Sequence, residues 1–389
     1  MIKTSYIRNS IFFLFLVYFA QGVLYAQGTI FSKVVFAIII LISVYYFFKT
    51  LLMSGEKSLF FKAWTVLLLL NIFGFIFTGT ISNSVQMSMF RGVLLTLMIF
   101  YPFYFLSQRN MLKSKHLITF LLLMIPVIIL RYFLVAEQIL DQRISDKIDV
   151  VNNTSYFFLG LMPYVFLIKQ RKIFAVSIML VLIFFIIQSS KRGALFSGVI
   201  GLLYFAYFQM RTIEKKNRLK GYLYLTAGVF GISYFIFYLF SSNEYFILRM
   251  QSILEENSSG RDTIFMNLFK SWFESENLIN LLFGYGFAAS LKLSGTGNFA
   301  HNDWLELLSN YGLFGFVLNI IFFWAVLKEA TFHQGNIEKR IILLAVLSIV
   351  FVNTIVYRFY SSGDGFLYSI MLAYLVGSKA KELDNRAKY

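Results

Sequence analysis

Long apolar runs separated by short polar connections fill this chain, and one polar stretch breaks the pattern. Runs of about 17 residues or more recur from end to end, each long enough as an α-helix to cross about 30 Å of hydrocarbon. The predicted spans are 10–27, 34–53, 60–79, 88–106, 116–136, 154–169, 173–190, 193–210, 221–240, 304–327, 341–358 and 364–379. The exception is Ser241 to Asp303, a polar stretch of about sixty residues that contains Ser259-Gly260-Arg261-Asp262 and ends on Ala300-His301-Asn302-Asp303-Trp304. Where most connections are short and one is long, the long one carries the chemistry.

Irregular backbone cannot face lipid, and the chain lacks the ten-residue alternation of an outer-membrane barrel. The predicted class is therefore all-α, a polytopic membrane protein of about 12 transmembrane helices with one long external loop that contains short amphipathic helices. No internal repeat divides it. The expected organisation is a single membrane domain: helices 1–9 over 1–240, the external loop over 241–303, and helices 10–12 with a cytoplasmic tail over 304–389. The first segment follows Lys3 and Arg8 as a signal peptide would, but Leu24 is a poor residue three positions before a cleavage site, so it is expected to stay as a span.

Charge orients the helices. If the N-terminus is inside, the even-numbered connections carry Lys57 and Lys62, then Arg109, Lys113 and Lys115, then Lys169, Arg171 and Lys172. Arg211, Lys215, Lys216, Arg218 and Lys220 follow, then Lys328, Lys339 and Arg340, and the tail adds Lys379, Lys381, Arg386 and Lys388. Among the odd-numbered connections, 80–87 has no Lys or Arg, and 137–152 is acidic through Glu137, Asp141, Asp146 and Asp149. The positive-inside rule then predicts both termini in the cytoplasm and the 241–303 segment outside.

Composition agrees with this picture and narrows it. Hydrophobic residues make up 58% of the chain and charged residues 14%, against roughly one half and one quarter in soluble domains. The net charge of +16 would invite nucleic acid as a partner, but the cations sit in the connections that set topology, so no nucleic-acid partner is expected. The absence of cysteine excludes disulfide and thiol chemistry and leaves the redox compartment open.

Against the trend of the short outer connections, span seven ends Gln188-Ser189-Ser190-Lys191-Arg192-Gly193 and span eight begins at once. An isolated Lys191-Arg192 pair reads most simply as two side chains reaching up to headgroups. Arg91, Arg131 and Arg358 also fall near the outer ends of spans. Several arginines on one face favour an anionic ligand, because guanidinium forks fit phosphate oxygens.

In the long segment, Ser258-Ser259-Gly260 predicts a helix start. Ile264, Phe265, Leu268, Phe269 and Trp272 then share one helical face, so this helix is expected to lie along the outer membrane surface. Arg261 would sit at its N-terminus, where free N–H groups also favour an anion; the plainer alternative pairs it with Asp262. Phe283-Gly284-Tyr285-Gly286-Phe287 and Ser294-Gly295-Thr296-Gly297-Asn298 read as turns, not as dinucleotide loops. Gly312 and Gly315 fall inside span ten and are read as close-packing positions.

His301 is the histidine expected outside, His116 and His333 falling on the cytoplasmic side. It stands at the mouth of span ten with Asn302 and Asp303 as possible caps. The helix dipole there disfavours imidazolium and keeps the ring able to accept a proton. A lone interfacial histidine is more often structural than catalytic, and no second histidine or cysteine stands at metal-ligand spacing, so no metal is expected.

Taken together, Ser189-Ser190-Lys191-Arg192-Gly193, Ser259-Gly260-Arg261 with Trp272, Gly284-Tyr285-Gly286, and His301-Asn302 leading into Leu305, Leu308, Gly312 and Gly315 resemble the O-antigen ligase and polymerase superfamily. The resemblance spans roughly 150–325. One departure is Leu281-Leu282-Phe283, where the family often has a proline before the glycine pair.

The resemblance implies a GT-C-like fold in the bacterial inner membrane with its site facing the periplasm. The implied enzyme is a glycosyltransferase that takes a glycan from undecaprenyl diphosphate and passes it to an acceptor hydroxyl, without metal or cofactor. It implies Arg192 and Arg261 as diphosphate ligands and His301 as general base. Lys191 and Arg91 follow as lesser diphosphate candidates, and Asp303 as an orienter of His301. The implied partners are the lipid-linked donor, a glycan or lipid A–core acceptor, the bilayer and a chain-length regulator.

A polymerase extending a lipid-linked repeat unit is the leading expectation, with a ligase to lipid A–core second. A flippase or transporter would also suit twelve spans, but the chain lacks two similar halves and has only Pro102, Pro126 and Pro163 to break helices near the midplane.

Overall fold

The computed structural model describes residues 4–24, 29–53, 57–146, 152–169, 171–212, 260–332 and 336–378, with a few isolated positions between 226 and 241. The expected span 221–240, most of Ser241 to Ser259 and the basic tail from Lys379 lie outside the described residues. The described secondary structure is entirely helical: α1 (Thr4–Leu24), α2 (Ile30–Leu51), α3 (Leu59–Thr78), α4 (Ser84–Val93), α5 (Phe100–Gln108), α6 (Ser114–Asp146), α7 (Ser155–Val165), α8 (Lys172–Gln188), α9 (Arg192–Thr212), α10 (Arg261–Phe273), α11 (Leu278–Phe283), α12 (Ser290–Leu293), α13 (Asp303–Phe332), α14 (Ile337–Val356) and α15 (Gly365–Gly377).

Seven segments among the described residues are long and apolar enough to cross a membrane: Ile30–Leu51, Leu59–Thr78, Ser84–Gln108, Ser114–Glu137, Arg192–Thr212, Asp303–Phe332 and Ile337–Val356. Ser155–Val165, Lys172–Gln188 and Gly365–Gly377 are shorter apolar helices. The protein is a multi-pass membrane protein. Every expected span apart from 221–240 overlaps described helix, although 116–136 lies within Ser114–Asp146, 10–27 is observed as Thr4–Leu24, and 88–106 is shared between α4 and α5.

The described chain divides into two compact units, each assembled from separate stretches. The first comprises 1–57, 91–194 and 361–389. Its centre is α15, whose residues are almost all buried, and that burial is why a helix of this length suffices: it is surrounded by protein. Phe366 stacks on Phe15 and Phe19 at 5.0 and 4.9 Å. Tyr164 Oη donates to the Leu367 carbonyl at 2.7 Å and Ser107 Oγ to that of Tyr374 at 2.9 Å. Buried hydroxyls thus spend their hydrogen bonds on spare helix carbonyls, as a dry interior requires. A π-helical turn, Leu94–Met98, links α4 to α5.

The second unit, 58–90 and 195–360, holds the long loop and α13. Gly312, at φ 60° and ψ −153°, breaks α13 into a short N-terminal helix and a longer one. The break exposes two carbonyls. Tyr285 N–H donates to Ser309 O at 2.9 Å and Gly286 N–H to Asn310 O at 3.0 Å. A Cβ at Gly312 would meet the Leu281–Leu282 backbone, and one at Gly284 (φ 73°) would collide with that of Asn310 and Tyr311. Gly312 therefore corrects its sequence reading: it serves a helix break and a loop-to-helix backbone pairing, beyond close packing alone. Phe287 N–H donates to Thr78 Oγ1 at 2.7 Å, seating the same loop on α3.

Candidate functional site

Within the second unit, the segment Phe299–Asn302 delivers His301 to the head of α13. His301 has φ 51°, a left-handed conformation unusual for a residue with a side chain. Buried Glu306 and half-buried Asn302 hold it there. Glu306, one turn into the helix, accepts Ala300 N–H at 2.9 Å through Oε1, and Ser290 Oγ at 2.7 Å through the same oxygen. Asn302 Oδ1 caps the helix, accepting Trp304 N–H at 2.9 Å and Leu305 N–H at 3.1 Å.

Of the two caps expected from sequence, Asn302 alone takes that role. Asp303 turns inward instead, is 2% exposed, and accepts Phe359 N–H at 2.5 Å and Tyr360 N–H at 3.3 Å through Oδ2. Its observed work is to fix the loop that leaves α14. Burial holds the Tyr360 phenol well above its ordinary range, so it remains a neutral donor and reaches Asn319 Oδ1 at 2.5 Å.

Arg261 is the first residue of α10, after Gly260 at φ 77°; Ser258 and Ser259 lie outside the described residues. Its Nη1 donates to the Val356 carbonyl at 3.0 Å, at the C-terminal end of α14. Two residues further on, the Arg358 guanidinium lies 4.5 Å above the centre of the Phe299 ring. The edge of His301 meets that ring at 90°, with centroids 6.3 Å apart, and Nδ1 is buried.

The apolar face expected to lie on the membrane is divided. Ile264 and Leu268 are buried against Ala300, with Phe265, Leu293 and Leu305 packed around them. Phe269 and Phe273 are exposed, and Trp272 Nε1 donates to Leu281 O at 3.0 Å. Half of that face thus closes onto the protein, because the residue beside His301 supplies an apolar surface of its own.

Arg261, His301 and Asp303 therefore belong to one unit, joined through Ala300, Phe299 and the end of α14. Lys191, Arg192 and Arg91 belong to the other. Arg192 opens α9, Lys191 precedes it, and both are half-buried behind the buried pair Ser189 and Ser190. Arg91 is exposed in the last turn of α4. Among the described residues no group of three or more His, Asp or Glu side chains is placed to share a metal ion. Glu306 is not among the site residues expected from the sequence. An acid inside an apolar span is a recognisable signal, and Glu306 is one; Arg358 stood out only as one of several arginines near span ends.

Residues 175–320 match the sequence profile of the O-antigen ligase family. This match supports the resemblance of the chain to the O-antigen ligase/polymerase superfamily. The stretch matched to the O-antigen ligases runs from α8 through the break in α13, and so includes Arg192, Arg261, His301 and Gly312 but neither Arg91 nor Arg358. Comparison with curated proteins finds no match.

Proposed function

We propose that this protein is a membrane glycosyltransferase that moves a growing glycan from undecaprenyl diphosphate to the hydroxyl of a lipid-linked repeat unit, at the outer face of the inner membrane. His301 removes the proton of the acceptor hydroxyl as that oxygen attacks the anomeric carbon. The bond from that carbon to the diphosphate oxygen breaks, and undecaprenyl diphosphate leaves with its new negative charge beside Arg261. Donors aimed at charge that develops in the transition state supply most of the acceleration in such sites, and a positioned base adds to it.

The observation that carries this reading is the seating of α10 on Ala300, which gives a general-base candidate and a phosphate-binding cation a common support. Arg192, Lys191 and Arg91 are proposed as further diphosphate ligands on the sequence resemblance, and each is a separate target for mutation. Asp303 acts here by fixing the 359–360 backbone. Transfer onto lipid A–core is the second reading, favoured by the description of the matching family.

Replacing Arg192, Arg261 or His301 by alanine is expected to abolish glycan transfer while the protein still accumulates in the membrane. Normal transfer in any two of these variants overturns the mechanism. Deleting the protein separates the reactions. A single repeat on the core identifies a polymerase, and long chains stranded on the carrier identify a ligase. Repeat units trapped on the cytoplasmic side would mean a flippase and overturn both.

A further inference from the structure

We propose that Arg358, outside the stretch matched to the family, is an anion-binding residue that takes a phosphate oxygen of the lipid-linked donor. The proposal rests on the transferase reading above. Three observations carry it. The guanidinium lies 4.5 Å over Phe299, the ring that His301 meets edge-on. Its Nε is buried and meets no acceptor among the described residues. The backbone on either side is held by other groups: Val356 O by Arg261, and the N–H groups of Phe359 and Tyr360 by Asp303.

A guanidinium on an aromatic face is fixed in direction, while its N–H edge stays available to a pair of oxygens. A buried N–H left without an acceptor is costly, and folded proteins rarely tolerate one without a purpose. The competing role is a counter-ion to Asp303 and Glu306, both of which feel its charge. Yet the hydrogen bonds of those carboxylates go to the 359–360 backbone and to Ser290, Ala300 and the Asn310 side chain, and none goes to Arg358. A counter-ion that makes no hydrogen bond to either acid leaves its fork unused; a phosphate would fill it.

The shared chemistry is a phosphate oxyanion, which a donor diphosphate or a phospholipid headgroup could provide. The test is binding of undecaprenyl diphosphate to the full chain in phosphatidylcholine nanodiscs, with phosphatidylglycerol titrated in parallel. Arg358→Gln is expected to weaken undecaprenyl diphosphate binding about tenfold, the loss of one charge-assisted hydrogen bond, and to leave phosphatidylglycerol binding unchanged. Affinity within twofold of wild type overturns the proposal, and so does a loss confined to phosphatidylglycerol. If Arg358→Gln does not accumulate, Arg358→Lys decides, because it keeps the charge and loses the fork: weaker binding supports the proposal and wild-type affinity overturns it. The measurement needs no turnover. Wild-type protein that fails to bind undecaprenyl diphosphate sinks the donor reading itself, whereas binding that is indifferent to Arg358 sinks this proposal alone.

Discussion

Both α9 and α13 start two residues after one that has a side chain and left-handed backbone, Ser190 ahead of α9 and His301 ahead of α13, both at φ 51°. The first is held locally. Ser189 N–H bonds to Phe185 O at 3.1 Å, Ser190 N–H to Ile187 O at 3.0 Å, and Ser189 Oγ to Ile186 O at 2.7 Å, all within the end of α8. That is an ordinary helix C-terminus with serine at the position glycine usually fills. The second is held by two buried acids that follow it in the chain. Glu306 ties its approach to Ser290, and Asp303 ties its exit to a loop more than fifty residues away. Left-handed backbone costs a non-glycine residue about 1–2 kcal/mol. At Ser190 the helix end offsets this; at His301 two buried carboxylates are committed to it, and a fold retains such groups where a side chain must point in one direction.

Removing the first acid should break the comparison most forcefully. Glu306→Ala leaves the Ser290 hydroxyl and the Ala300 N–H buried without their acceptor, at a cost of roughly 3 kcal/mol from unmade hydrogen bonds. A clear fall in thermal unfolding temperature in detergent is expected, with transfer reduced about a hundredfold as His301 loses its direction. A variant that unfolds like wild type would mean the segment is held by something other than Glu306. Asp303→Asn is the milder break, because an amide oxygen still accepts from Phe359 and Tyr360 but without charge. A loss of about 1 kcal/mol is expected in the same assay. A cost as large as that of Glu306→Ala would show that the charge of Asp303, more than its acceptor geometry, holds the loop.

The contrast also explains which parts of the molecule could be read from sequence. Hydropathy located the spans, because each must satisfy its backbone internally and present apolar side chains over a fixed length. It overestimated α7 and α15, expected as 154–169 and 364–379 and observed as Ser155–Val165 and Gly365–Gly377, since a helix buried in protein is released from the thickness of the bilayer. The π-turn at Leu94–Met98 and the break at Gly312 have no periodic signal: the first lies inside an apolar stretch, and the second follows Ser309-Asn310-Tyr311 within a predicted span.

At the candidate site, Arg261 and His301 were recognisable because a cation and an imidazole beside a long polar loop are chemically conspicuous. The contacts made by the groups that hold them were not. Glu306 meets Ala300 only after a turn of helix forms, and the contact of Asp303 with Phe359 and Tyr360 requires α14 to have folded back. Side chains that do chemistry announce themselves by type. Side chains that position them depend on tertiary contacts that no local pattern encodes.

The smallest effect offers the sharpest discrimination. Ser190→Gly removes the steric cost of φ 51° at a turn whose bonds are backbone–backbone or belong to Ser189, so none of those bonds is lost. Relief of about 1 kcal/mol is opposed by the greater freedom of glycine in the unfolded chain, which takes back roughly half or more. The net expectation is a gain of a few tenths of a kcal/mol, a rise in unfolding temperature of about 1 °C, and transfer within about twofold of wild type, since the direction of Arg192 is set by the start of α9. The matching change His301→Gly relieves the same backbone angle yet should abolish transfer. If Ser190→Gly instead cripples transfer while the fold is unchanged, the Ser190 side chain takes part in the chemistry. The two left-handed residues would then be alike in function as well as in backbone.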